Sequence, residues 1–154
     1  MKRSVAARVL VLLWLAAPAV FAAEAAGEAR KKAEALFDRY VALERRFDPA
    51  IAELYADDAR IEHRLINPPN PPEVRKYPAA QYKEQLRRVM PLAKRLSDLS
   101  YYTAVTYSRE GARVRIRASR YATLKKFVSP VELLVGPDAA GHWLIFEELA
   151  EARP

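Results

Sequence analysis

Residues 48–66 read DPAIAELYADDARIEHRLI, and the fold turns on how this stretch divides. Asp48-Pro49 is an N-cap followed by proline at the first helical position. A short helix is expected over Pro49–Ala56, carrying Ile51, Leu54 and Tyr55, and Asp57-Asp58 close it. From Ala59 to Ile66 the period changes to two. Ile61, His63 and Leu65 point one way and Arg60, Glu62 and Arg64 the other, the mark of a half-buried strand.

Upstream, Glu24–Arg46 reads as a helix, because Ala33, Leu36, Phe37, Tyr40, Val41 and Phe47 recur at three and four. Downstream, Asn67-Pro68-Pro69-Asn70-Pro71-Pro72 forbids helix and disfavours ladder pairing, so residues 67–78 read as a stiff loop of polyproline character. Such a loop is a lid, a docking segment or a plain crossover. A third helix starts at Ala79, with Tyr82, Leu86, Val89, Met90, Ala93 and Leu96 as its apolar face; Pro91 kinks or ends it. Strands then follow: Leu99–Ser108, a turn at Glu110-Gly111, Ala112–Lys126, a break at Ser129-Pro130, Pro130–Val135, a turn through Gly136-Pro137-Asp138 and Gly141, and His142–Leu149. Helices first and consecutive strands later make an α+β domain, with helices packed on one face of an antiparallel sheet.

Composition narrows the function. There is no cysteine among 154 residues, which excludes a disulfide framework, a thiolate zinc site and a cysteine nucleophile. His63 and His142 are the only histidines, so no metal site is expected, and Walker, Rossmann, HExxH and GxSxG patterns are absent. No cofactor is called for.

The first 22 residues differ from the rest. Lys2, Arg3 and Arg8 precede the apolar run Val9–Leu15, and Val20-Phe21-Ala22 places small residues before Ala23. These are the parts of a secretory signal peptide cleaved near Ala22/Ala23. The uncharged stretch from Val9 to Ala23 is 15 residues, below the roughly 20 that span a bilayer. Removing the leader discards three basic and no acidic residues and takes the net charge from +7 to +4. An excess that small, on an exported chain, argues against a nucleic-acid partner. The expected location is periplasmic or secreted, with membrane contact only through the leader before cleavage. Residues 23–30 are then a short extension and 31–150 the domain.

Leu36-Phe37-Asp38-Arg39-Tyr40, the junction Ile51–Ile61 with its LYADDA, and Gly141-His142-Trp143-Leu144-Ile145-Phe146-Glu147-Glu148 resemble the NTF2-like superfamily, the SnoaL-like and ketosteroid isomerase-like cone fold, also called cystatin-like. The resemblance implies N-terminal helices on a strongly curved antiparallel sheet, enclosing a pocket open at one end. It also implies that Ile61 and His63 face inward, that Tyr40, Tyr55, Tyr82 and Met90 line the helical side, and that Tyr102, Arg117, Tyr121 and Phe146 line the sheet side. Members of this fold include isomerases, dehydratases and non-enzymatic binders, so the fold alone assigns no reaction.

His63 is the candidate catalytic residue, as a general base or ligand donor; the other reading is a hydrogen-bonded structural histidine. No inward carboxylate can be paired with it, since Glu62 faces away and Asp57 and Asp58 close the preceding helix, so no dyad is assigned. The row Arg113, Arg115, Arg117, with Arg120, Lys125 and Lys126 beyond, is either an anion site or a solvated outer face that discourages edge pairing. The leading expectation is therefore an exported domain that binds a small, partly apolar ligand without assigned catalysis. The alternatives are a cofactor-free isomerase, dehydratase or hydrolase using His63 with a pocket tyrosine, and a homodimeric interaction module that pairs through its sheet.

Overall fold

The computed structural model describes residues 17–153. The expected leader lies outside the described residues except for 17–22, which form the backbone start of the first helix. That helix, α1, runs Ala17–Arg45 and buries Ala33, Leu36, Phe37, Tyr40 and Leu43. It stops where Phe47 turns left-handed (φ 55°) and Asp48 N–H bonds back to the Leu43 carbonyl at 2.9 Å. The Asp48 side chain then accepts from Ala50 N–H at 2.9 Å and caps the next turn as read from the sequence. That turn is a 3₁₀ helix, Pro49–Leu54, shorter than expected. Tyr55 already belongs to strand β1, Tyr55–Leu65, because it pairs with Ile145 of the last strand. Tertiary pairing outweighs helix propensity there, and the irregularity between Tyr55 and Arg60 holds Asp57-Asp58 out in solvent.

The proline-rich segment is not loop throughout. Glu73–Tyr77 forms strand β2, antiparallel to β1, with Ile61 opposite Tyr77 and His63 opposite Arg75. All four prolines precede it, so they remove no rung, and its charged, largely exposed side chains suit a sheet edge. Helix α2, Ala79–Leu96, passes through Pro91 without ending and buries Tyr82, Leu86 and Met90. Val89 and Leu96, read as part of its apolar face, are exposed.

The remaining strands are β3 (Ser100–Glu110), β4 (Arg113–Ala122), β5 (Phe127–Pro137) and β6 (Trp143–Ala152). Pro130 does not break β5; it pairs with Ser119 of β4, and the ladder to β6 begins only at Val131. The sheet order is β2-β1-β6-β5-β4-β3, parallel at β1–β6 and antiparallel elsewhere. Register shifts interrupt β1, β3 and the β5–β6 pair, where Ala104 sits at φ 52° in β3. Such shifts bend a sheet and suit wrapping around helices.

Inward positions of the sheet carry Ile61, Val114, Ile116, Leu133, Val135 and Ile145, all nearly inaccessible, and these meet the buried stripes of α1 and α2. The outward positions of the same strands carry charge. Arg60 and Arg115 both pair with Glu147, Arg115 also with Glu110 at 3.0 Å, and Arg117 with Glu132 at 3.3 Å. No helix among the described residues is long and apolar enough to cross a membrane.

Candidate functional site

One register row crosses four strands in the core: Ile61, Glu148, Leu133 and Ile116. Three are apolar and almost fully buried, and the fourth is a carboxylate at 2% exposure. A buried carboxylate needs hydrogen-bond donors, and three elements supply them. His63 Nε2 of β1 lies 2.8 Å from Glu148 Oε1. The Tyr82 hydroxyl, from α2, donates to the same oxygen at 2.8 Å, and the Tyr55 hydroxyl, from the start of β1, donates to Oε2. The His63 ring stands edge-on to Tyr82 at 5.4 Å and against Tyr77 of β2 at 5.1 Å.

Burial pushes the Glu148 carboxyl up, but the hydrogen bond and charge of His63 and the two hydroxyls more than offset this, so it sits below its ordinary range. Burial, followed by the Glu148 charge, raises the Tyr55 and Tyr82 phenols well above theirs and keeps both as donors.

Next to this cluster a cavity of about 290 Å³ lies between the helices and the sheet. Tyr40 and Glu44 of α1, Tyr82, Leu86 and Met90 of α2, and Arg120 of β4 are on its wall. It exists because the strand positions that would meet the helices are Ala122 on β4 and Ala152 on β6, too small to fill the gap. Tyr82 belongs to both regions, so the cavity wall touches the Glu148 cluster through one hydroxyl. Across the cavity, Glu44 Oε2 accepts from the Tyr102 hydroxyl at 2.8 Å, and Tyr102 packs edge-on to Phe37 and Tyr40. Burial raises the Glu44 carboxyl, with Tyr102 and Arg120 partly opposing it. Burial pulls the Arg120 guanidinium down, and the electrostatic pull of Tyr102, Tyr40, Glu44 and Glu148 more than restores it. Among the described residues no cluster of His, Asp and Glu is placed to hold a metal ion.

Of the residues singled out in the sequence, Tyr40, Tyr82 and Met90 are on the cavity wall. Tyr55, Ile61 and His63 lie in the core around Glu148. Tyr102 reaches the cavity only through Glu44. Three placements need correction. Arg117 and Tyr121 are exposed on the outer face, because Ile116 and Ala118 take the inward positions of β4 and alternation then sends Arg120 and Ala122 inward. Phe146 sits at the β5–β6 register shift, beneath the Arg113 guanidinium at 3.8 Å, and is not on the wall. Gly136 makes room for that stack, since a Cβ there would lie 2.6 Å from Arg113 Cγ.

The residues the sequence reading left out are Glu148, Glu44 and Arg120 in its inward role. Glu44 was legible as the i+4 neighbour of Tyr40. Glu148 was not. Strict alternation from Ile145 sends Glu147 inward, and the register shift puts Glu148 there instead.

No protein-family model matches the sequence, and the search of curated proteins found no match. Solved structures do match. An NTF2-like protein with a cystatin-like fold from Novosphingobium aromaticivorans has a TM-score of 0.58 at 18% identity, over 94% of this chain and 91% of that one. A proposed dehydratase of the NTF2-like family from Streptomyces avermitilis gives 0.58 at 11% identity, over 81% and 96%. A proposed ketosteroid isomerase from Shewanella frigidimarina gives 0.55 at 14% identity, over 77% and 94%. The chain has the NTF2-like, cystatin-like fold.

The two buried carboxylates act on stability with opposite signs. Glu148 is lowered in the folded state, so its contribution is in place above the unfolded carboxylate pKa and is lost as pH falls through the folded value. Glu44 is raised, so its contribution is fullest below the unfolded value and is lost as pH rises through the folded one. Urea midpoints across the acid limb therefore lose part of their pH dependence in Glu148→Gln, whereas Glu44→Gln gains stability relative to wild type toward neutral pH. Glu148→Ala, which strands three donors, costs about 3–5 kcal/mol. A wild-type acid limb in Glu148→Gln would show that other groups carry it.

Proposed function

We propose that this chain is an exported NTF2-like domain that holds a small, partly apolar molecule in the cavity between its helices and sheet. The cavity carries this reading. It has apolar walls from Leu86 and Met90, a few convergent polar groups, and alanines where larger side chains would fill it. The hydrogen-bonded core around Glu148 does not occupy that space.

Met90 is the only methionine apart from Met1, so its methyl resonance reports the cavity alone in the processed protein. Titration with 2-naphthol, a neutral aromatic of suitable size, shifts that resonance saturably. Ala122→Phe, which fills the cavity from β4, abolishes the shift while the backbone spectrum keeps its dispersion. A resonance that ignores naphthol, or a shift that survives Ala122→Phe, removes the cavity as a binding site.

Export rests on the basic start, the apolar run Val9–Leu15 and the small residues before Ala23. The intact mass of protein recovered from the periplasm of a Gram-negative host then corresponds to a chain beginning at Ala23. Recovery of the full-length mass in the membrane fraction contradicts cleavage.

A second reading, cofactor-free proton transfer, is favoured by Tyr82, which is on the cavity wall and shares Glu148 Oε1 with His63. Two of the similar structures bear the names of a dehydratase and a ketosteroid isomerase, which makes the chemistry plausible for the fold without assigning it. A proton released at the cavity would pass through the Tyr82 hydroxyl toward the His63–Glu148 pair. On this reading the protein exchanges the α-hydrogens of 2-cyclohexenone with D2O, and Tyr82→Phe and His63→Ala each lower that rate by about a hundredfold. Equal rates in Tyr82→Phe and wild type leave only the binding role.

A further inference from the structure

Among the described residues one buried side-chain donor has no hydrogen-bond partner, and it belongs to a guanidinium whose charge Glu44 and Glu148 balance only from a distance. Glu148 takes donors from His63, Tyr55 and Tyr82. Glu44 takes one from Tyr102, and Asp98, also on the cavity wall, takes the Leu124 amide at 3.1 Å. On the outer face Arg115 and Arg117 are paired with Glu110, Glu147 and Glu132. Arg120 enters no ion pair among the described residues, and its buried Nε has no hydrogen-bond partner. It is on the cavity wall.

A buried N–H donor without an acceptor costs free energy that an acceptor would recover. The strongest acceptor for a guanidinium is a carboxylate, which fits its planar fork. Two further cations, Lys125 and Arg153, line the cavity beside the acids Glu44 and Asp98, and the Lys125 ammonium is bonded to a backbone carbonyl rather than to an acid. Positive charge at a concave entrance attracts anions. The walls opposite Arg120 are apolar, from Leu86 and Met90.

We propose that the ligand of this cavity is a small monocarboxylate on an apolar body, its carboxylate seated on Arg120 and its body against α2. This rests on the cavity being a binding site, and deepens that reading by naming the ligand class.

The test compares 2-naphthoate with neutral 2-naphthol on the processed protein, with the Met90 methyl resonance and calorimetry as readouts. Naphthoate binds tighter by about tenfold or more. Arg120→Gln brings the two affinities to within about threefold, and Lys125→Gln, which removes charge only from the entrance, lowers the preference by less. If naphthol binds and naphthoate binds no tighter, the carboxylate inference falls and the cavity reading stands. If neither binds, both fall. If Lys125→Gln alone erases the preference, Arg120 is not the seat. The wild-type comparison needs no variant, so an unstable Arg120→Gln leaves the test standing.

Discussion

A single carboxylate in the middle of the apolar core organises this domain. Glu148 is flanked across the sheet by Ile61 and Leu133, in a row otherwise made of aliphatic side chains. Taking a carboxylate out of water costs several kcal/mol unless donors surround it. Here they come from the beginning of β1, from the inward position of β1 two residues past Ile61, and from the first turns of α2. Those donors must meet at one point, which ties the parallel β1–β6 pairing and the seat of α2 to a single geometry. The apolar contacts supply most of the burial, but they tolerate small slips that this cluster does not.

The dipeptide Glu147-Glu148 shows how one strand serves two environments. Glu147 points outward and bridges Arg60 and Arg115; Glu148 points inward to the tyrosines and His63. Exposed pairs such as Arg117–Glu132 are worth only about 0.2–1 kcal/mol each. Their larger consequence is to keep the outer face charged. In the arginine row of β4, Arg113 stacks on Phe146, Arg115 and Arg117 are matched to acids, and the strand's alternation then delivers Arg120 to the opposite side. One sequence feature with two candidate meanings divides between them according to parity.

Around the cavity the balance differs from that of the core. The core cluster is saturated: three donors surround Glu148. The cavity wall has an unmatched donor on Arg120 and space bounded by alanines. Saturated polar groups favour a fixed framework, whereas an unmatched group beside open space favours a partner molecule. Tyr82 joins the two regions, so any ligand that contacts its hydroxyl is coupled to the His63–Glu148 pair.

Local sequence determined a good deal. The Asp48-Pro49 cap, the stripe of α1, the alternation of β1 and β4 and the turn at Glu110-Gly111 are short-range effects, legible from period and turn chemistry alone. They suffice for an α+β domain and for the inward placement of His63. Tertiary structure decided what depends on partners distant in the chain. Tyr55 left its helix to pair with Ile145, Glu73–Tyr77 became a strand because β1 offered an edge, and a register shift in β6 chose Glu148 over Glu147 as the acid that faces the core. A one-residue shift exchanges the two faces of a strand. The hydrogen-bond partner of His63 was therefore settled by pairing between strands, which no local pattern in the chain encodes.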